Sequence, residues 1–222
     1  ASLVREQTVY IDHSQAHAFD PNVPIEETLG ASDDLVTAGK VRYVGCSNYP
    51  AWRLGQALAA ADKLGIAGYA SVQPRYNILY RDIEPDLLPL CRDAGLGVLV
   101  YNPLAGGMLS GKYQVNDEPQ ENTRFTLGNA AGRYHQRYWD NVQIQAVTEL
   151  RALSEARGLS LVSVAVAWVL PQAGNSSAII GASRADQLDA SPAALDVEFD
   201  EELIDARDAV WWQLPRRPTL EC

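Results

Sequence analysis

The chain has 222 residues, 47% of them hydrophobic and 21% charged, with a formal net charge of −10. This is a globular composition with material for one sizeable core; its acidity argues against general binding to nucleic acid or anionic membranes, while leaving room for a local cationic pocket for a phosphate. No run of about 18 apolar residues exists to span a membrane, and the start, Ala1-Ser2-Leu3-Val4-Arg5-Glu6, lacks the basic and apolar regions of a signal peptide. Cys46, Cys91 and Cys222 form no CxxC pair and no metal spacing. Their odd count and wide separation favour free thiols in a reducing cytoplasm, so a cytoplasmic location and no metal are expected.

In chain order, Val9-Tyr10-Ile11 opens a strand that runs toward His17. Residues 24–38 read as a helix, with Pro24 in the first turn, Glu26-Glu27 near the start and Gly39 as a stop. Residues 41–47 form a second strand, because Val41, Tyr43 and Val44 suit a pleated, covered surface. That strand ends in Ser47-Asn48, which reads equally as an ordinary turn or as short hydrogen-bonding groups offered to a ligand. A helix over 51–64 stops at Gly65, a strand follows at 69–73, and a helix at 83–94 is punctuated by Gly95. Leu96-Gly97-Val98-Leu99-Val100-Tyr101 is a nearly all-apolar strand, as strands buried on both faces are. Residues 106–141 are a long polar stretch with weak periodicity, a length that marks a functional loop or lid. Helices are expected at 142–157 and 160–170, a strand at 177–181, and helices at 185–195 and 200–211.

Alternating β and α elements with short connections predict a parallel sheet or barrel. No GxGxxG follows a strand, and Gly106-Gly107 fits neither the dinucleotide fingerprint nor a P-loop. A (β/α)8 barrel is therefore favoured over a doubly wound sheet, with five units counted.

Tyr10-Ile11-Asp12, Gln15-Ala16-His17, residues 24–28 and residues 39–48 resemble the aldo-keto reductases. Val72-Gln73-Pro74, Tyr76-Asn77, residues 101–107 and 109–113, and Ile180-Gly181-Ala182-Ser183 extend the resemblance, in order, over nearly the whole chain. The resemblance implies an α/β fold, a TIM barrel holding NADP(H) without a Rossmann motif, and hydride transfer to a small-molecule aldehyde or ketone. It makes His17 the active-site histidine and Ser47, Asn48 and Gln73 the residues that bond the nicotinamide carboxamide. Tyr101 would stack on the nicotinamide ring. Asn102, Pro103, Leu104, Ala105 and Gly106 would follow the pyrophosphate-side loop, although the family more often has Ser in place of Asn102. Lys112 and Arg124 match cationic positions near the cofactor phosphates, and Gly181, Ser183, Arg184 and Gln187 match the segment at the 2′-phosphate end. Where the family often has Glu-Asn one turn after Gln187, this chain has Ala190-Ser191. His13 stands where the family usually carries a large apolar residue and reads as a strand histidine facing a helix. His135 reads as a solvated side chain of the long loop.

The resemblance starts at about the family's fourth barrel strand. Residues 1–222 are accordingly expected to be one N-terminally truncated domain, with three β/α units absent, a cofactor and substrate loop at 106–141 and a tail at 212–222. The family's chemistry uses Asp, Tyr, Lys and His, of which His17 alone is matched, so the chain by itself is expected to be inactive or crippled. Tyr49, Tyr76 and Tyr101 lie near strand ends as weak substitutes for the missing Tyr. Uncovered barrel edges would favour self-association. The rivals to an NADPH-dependent carbonyl reductase are a catalytically silent NADPH-binding or scaffold subunit and a cofactor-free lyase or isomerase using His17. Substrate identity is not encoded in a readable motif.

Overall fold

A computed structural model of the chain describes residues 2–170, 175–182, 184–188 and 192–215. Among the described residues five parallel strands form one sheet in the order β1-β2-β3-β4-β5. They are β1 (Ile11–Ala16), β2 (Val41–Ser47), β3 (Ser71–Gln73), β4 (Gly97–Tyr101) and β5 (Asn175–Ile179). Every neighbour in the sheet is also the next strand in sequence, the walk of a singly wound barrel wall rather than a doubly wound sheet. Right-handed crossovers taken always in one direction put the connecting helices on one face. The result is an α/β fold with a parallel five-stranded sheet, like part of a TIM-type barrel.

The helices are α1 (Ser2–Arg5), α2 (Ile25–Thr37), α3 (Ala51–Leu64), α4 (Leu87–Asp93), α5 (Ala131–Tyr138), α6 (Asn141–Glu155), α7 (Leu161–Val169) and α8 (Glu201–Gln213). Period-two alternation sorts the sheet into two unlike faces. Val44, Cys46, Val72, Val98 and Val100 point to the helices and join Leu29, Leu54 and Cys91 in the core. The opposite face carries His13, Gln15, Gly45, Ser47, Ser71, Gln73 and Tyr101, brought side by side by the register Gln15↔Gly45, Gly45↔Ser71 and Ser47↔Gln73. A strand expected to be covered on both faces is thus covered on one: β4 alternates between buried Val98 and Val100 and half-buried Gly97, Leu99 and Tyr101.

Several boundaries differ from the sequence reading for local reasons. The helix expected from residue 83 begins at Leu87, where Asp86 caps it by accepting from the Leu87 N–H; turns occupy the residues before it. The helix expected over 185–195 is two 3-10 turns, Ala185–Leu188 and Pro192–Asp196. The long polar stretch holds a 3-10 turn at Ala105–Ser110 and the helix α5, and is pinned by edge-to-face contacts among Tyr113, Phe125 and Trp139. The helix α8 docks through Arg81, which binds Glu84 and Asp208 while Tyr76 donates to Glu84. Trp211 of α8 packs against the core; of the tail, Trp212 is 72% exposed, and residues 216–222 lie outside the described residues.

Candidate functional site

In a parallel sheet the C-terminal strand ends share one rim, and there short polar side chains can converge. β1, β2, β3 and β4 deliver His17, Ser47-Asn48, Gln73 and Tyr101 to that rim. Asn48 adopts a left-handed backbone, φ 59°, which Asn tolerates better than most residues. It turns the side chain back across the strand ends: Nδ2 donates to the His17 carbonyl and to Ser47 Oγ, both at 3.1 Å. Tyr101 Oη donates to Asn48 Oδ1 at 2.8 Å. Ser47 Oγ donates to the Gln73 carbonyl at 2.8 Å, and Gln73 Nε2 donates to Gln15 Oε1 at 2.8 Å. Four of the expected cofactor residues therefore form one hydrogen-bonded cluster beside the expected histidine, whose own side chain is exposed.

Burial raises the Tyr101 phenol above its ordinary pKa, with Arg137 and Arg75 pulling the other way, so the hydroxyl stays a donor to Asn48 at neutral pH. The other strand-end tyrosines are committed elsewhere. Tyr49 is buried against Phe19 and shares a hydrogen bond with Tyr69, and Tyr76 is fully buried on Glu84. Burial drives both phenols upward, which keeps them protonated and internal. Cys46 and Cys91 are buried free thiols; burial raises both, Cys91 to about 11, and they serve as small core residues.

The loop after β4 is shaped by Asn102, the position where a Ser is more usual in the family. Its amide Nδ2 donates to Tyr138 Oη at 3.1 Å while its Oδ1 accepts from the Gly106 N–H at 2.6 Å. A Ser side chain is too short to bridge both. Asn77 donates to the same Tyr138 hydroxyl and to the Asn102 carbonyl, which ties α5 to the loop. Gly106 is obligatory: its φ is +70°, and a Cβ would lie 2.6 Å from the Tyr134 ring. The N–H groups of Ala105, Gly106 and Gly107 are spent inside the loop, on Asn102 and Leu104. Anion contacts in this region therefore fall to side chains more than to the backbone.

Lys112 and Arg124 are exposed, the first over the Tyr113 ring and the second facing Tyr134, which itself covers Gly106. Pro103 and Leu104 complete the turn. Gly181, Arg184 and Gln187 are exposed beyond the end of β5, on the same rim. Ser183, Ala190 and Ser191 lie outside the described residues. Sequence reasoning missed Tyr138, whose signal is its four-residue spacing from Tyr134, and the role of Gln15 and Ser71 beneath the cluster. His13 does not face a helix; it lies on the opposite, polar face, 2.8 Å from Ser71 Oγ. His135 stacks on Trp139. An open groove of about 610 Å³ between the loop after β1 and α3, bordered by Phe19, Pro24, Arg53 and Lys63, contains none of the expected cofactor residues. Among the described residues no cluster of three His, Cys, Asp or Glu could hold a metal ion, and no helix is long and apolar enough to cross a membrane.

Toward a carboxamide, Asn48 Oδ1 and Gln73 Oε1 keep acceptor capacity for its NH2, and the Ser47 hydroxyl, which donates to the Gln73 carbonyl, would turn to donate to its oxygen. Comparison with known proteins bears on this arrangement. The model of the aldo/keto reductase family matches residues 1–211. A probable voltage-gated potassium channel subunit beta of Arabidopsis thaliana is 33% identical over 221 residues, covering 98% of this chain and 67% of that protein. The uncharacterized oxidoreductase YrpG of Bacillus subtilis is 33% identical over 205 residues, 91% of this chain and 59% of that protein. Aflatoxin B1 aldehyde reductase member 2 of Mus musculus is 32% identical over 222 residues, 95% of this chain and 60% of that protein. The chain thus spans between 59% and 67% of the length of these three relatives. With its parallel sheet walked in one direction and a family match running almost from end to end, the chain belongs to the aldo/keto reductase family.

Proposed function

We propose that these 222 residues are the cofactor-binding part of an NADPH-dependent carbonyl reductase, corresponding to the fourth to eighth β/α units of the family's barrel. The observation that carries the reading is the Ser47–Asn48–Gln73–Tyr101 cluster at the shared strand rim, next to His17. Bound NADPH would supply the hydride. Ser47, Asn48 and Gln73 would hold its carboxamide, and the Tyr101 ring, fixed by its bond to Asn48, would support one face of the nicotinamide. Lys112, Arg124 and Arg184 would neutralise its phosphates, which is how an acidic protein can hold an anionic cofactor. His17 would orient the carbonyl oxygen by hydrogen bonding. The substrate class is a small aldehyde or ketone, and the setting cytoplasmic.

A second reading, a silent NADPH-binding or scaffold subunit, is supported by two observations. Relatives from Arabidopsis thaliana and Oryza sativa carry the name of probable voltage-gated potassium channel beta subunits. The outer edges of β1 and β5 have no sheet partner among the described residues, which favours association with another chain or segment. Titrating the protein with NADPH by fluorescence, while following reduction of an aldehyde, separates the readings. Binding with turnover supports the reductase, binding without turnover supports the silent subunit, and no binding removes both.

A further inference from the structure

Beneath the expected nicotinamide cluster runs a chain of polar side chains to which the proposed function assigns no role. His13 Nε2 lies 2.8 Å from Ser71 Oγ and 3.0 Å from Gln15 Nε2. Gln15 Nε2 also donates to Ser71 Oγ at 3.4 Å, and Gln15 Oε1 accepts from Gln73 Nε2 at 2.8 Å. Gly45 makes the room: a Cβ there would stand 2.6 Å from Ser71 Oγ and 2.9 Å from His13 Nε2.

The polarity of the chain follows from amide chemistry, because an amide nitrogen only donates and an amide oxygen only accepts. Gln73 gives its nitrogen to Gln15, so the Gln15 oxygen faces Gln73 and its nitrogen faces His13. His13 Nε2 must then accept. The imidazole is then neutral with its proton on Nδ1, and the single Nε2 lone pair is shared between the Gln15 N–H at 3.0 Å and the Ser71 hydroxyl at 2.8 Å. Gln73 is left to offer Oε1, an acceptor, to a ligand. Burial keeps the His13 imidazole below its ordinary pKa. Asp12 on β1 and Arg42 on β2 pair with each other on the other side of the sheet. Tyr43, the register partner on β2, is 62% exposed, and β3 presents only Ser71 and Gln73 to this face.

We propose that His13 is a proton-sensitive positioning residue that, through Gln15, sets which end of the Gln73 amide faces the cofactor's carboxamide. Protonation turns Nε2 into a donor. Gln15 then turns its oxygen to His13 and its nitrogen to Gln73, and Gln73 turns in answer, offering Nε2 where it had offered Oε1. No covalent bond changes; two amides rotate, and the carboxamide NH2 loses an acceptor. The last step rests on the proposed cofactor reading, whereas the relay itself does not.

The test follows the side-chain amide resonances of Gln15 and Gln73 and the His13 ring by NMR in the full chain, from about pH 8 to about pH 5. The amides are expected to move with the His13 midpoint, below the ordinary histidine value, and to stay flat in His13→Leu. Gln73 resonances that ignore the His13 titration overturn the proposal; this arm uses the unaltered protein and survives any folding defect of the variant. NADPH affinity is then measured over the same range. The unaltered protein is expected to lose about tenfold more affinity on the acid side than His13→Leu, the scale of one hydrogen bond reversed. The variant's slope accounts for every contribution that does not pass through His13, titration of the cofactor phosphate included. Equal slopes overturn the coupling to cofactor. Amides that switch in a protein that binds no NADPH uphold the relay and sink the cofactor reading.

Discussion

Replacing Gly45 with alanine tests whether the polar face of the sheet is packed as described. The new methyl would sit 2.6 Å from Ser71 Oγ, 2.9 Å from His13 Nε2 and 2.9 Å from the Ser71 carbonyl oxygen. The two side chains can rotate away, at the cost of their mutual hydrogen bond. The carbonyl cannot, because it belongs to β3, which pairs β2 at this register. Overpacking of this kind costs about 1–3 kcal/mol. For a chain of this size each kcal/mol lowers Tm by roughly 2–4 °C, so about 2 kcal/mol corresponds to ~4–8 °C. Gly55 is the control: it lies inside α3 with nothing within 4 Å of a Cβ. Gly55→Ala is expected to gain roughly 0.5–1 kcal/mol from the helical preference of alanine. Thermal melts followed by circular dichroism read both. A Gly45→Ala protein that melts at or above the unaltered chain would refute the packing of His13 and Ser71 over Gly45.

Tyr138→Phe removes the hydroxyl that accepts from both Asn77 and Asn102 and strands one buried and one half-buried amide donor; urea titration is expected to show a loss of about 1–3 kcal/mol. Tyr101→Phe keeps the ring but removes the bond to Asn48 Oδ1; NADPH binding is expected to weaken about fivefold, the scale of one neutral hydrogen bond, while Tyr101→Ala weakens it further. Asp200 caps α8 through the Leu203 N–H and pairs with Arg157, and the Arg157 guanidinium, then the Leu203 N–H, hold its carboxyl below the ordinary aspartate range. Its contribution to stability is therefore present above the unfolded aspartate pKa and lost as pH falls through the folded value. Urea midpoints measured down through the acid range should fall less steeply for Asp200→Asn than for the unaltered chain, and parallel curves would speak against the cap.

Legibility differed from element to element for physical reasons. The strand at 41–47 and the helix at 51–64 were readable to the residue because Val41 and Val44 mark the strand's buried positions, although Tyr43 is exposed, while Leu54, Ala57 and Ala61 recur on one face of the helix and Gly65 ends it in the left-handed conformation. The helix α5 was not, because Arg133, His135, Gln136 and Arg137 give it a polar surface and its two anchors, Tyr134 and Tyr138, are easily taken for loop aromatics. The segment at 185–195 looked helical by composition, but Pro192 opens a separate 3-10 turn. At the rim, Ser47, Asn48, Gln73 and Tyr101 were legible through motifs in register with a known family. The partners that orient them were not. Gln15 and Ser71 reach the cluster only through sheet register, which no local pattern encodes, and a lone histidine such as His13 gives no sign of which face it takes until its strand's parity is known.

The most direct test of the cofactor reading is an equilibrium titration with NADPH, followed by the cofactor's fluorescence, in the unaltered chain and in Asn48→Ala. Asn48 joins three strand ends through His17, Ser47 and Tyr101. Saturable binding that weakens tenfold or more in the variant, about 1.4 kcal/mol or more, is the predicted result. Equal affinity in the two proteins, or none in the unaltered chain, would contradict it.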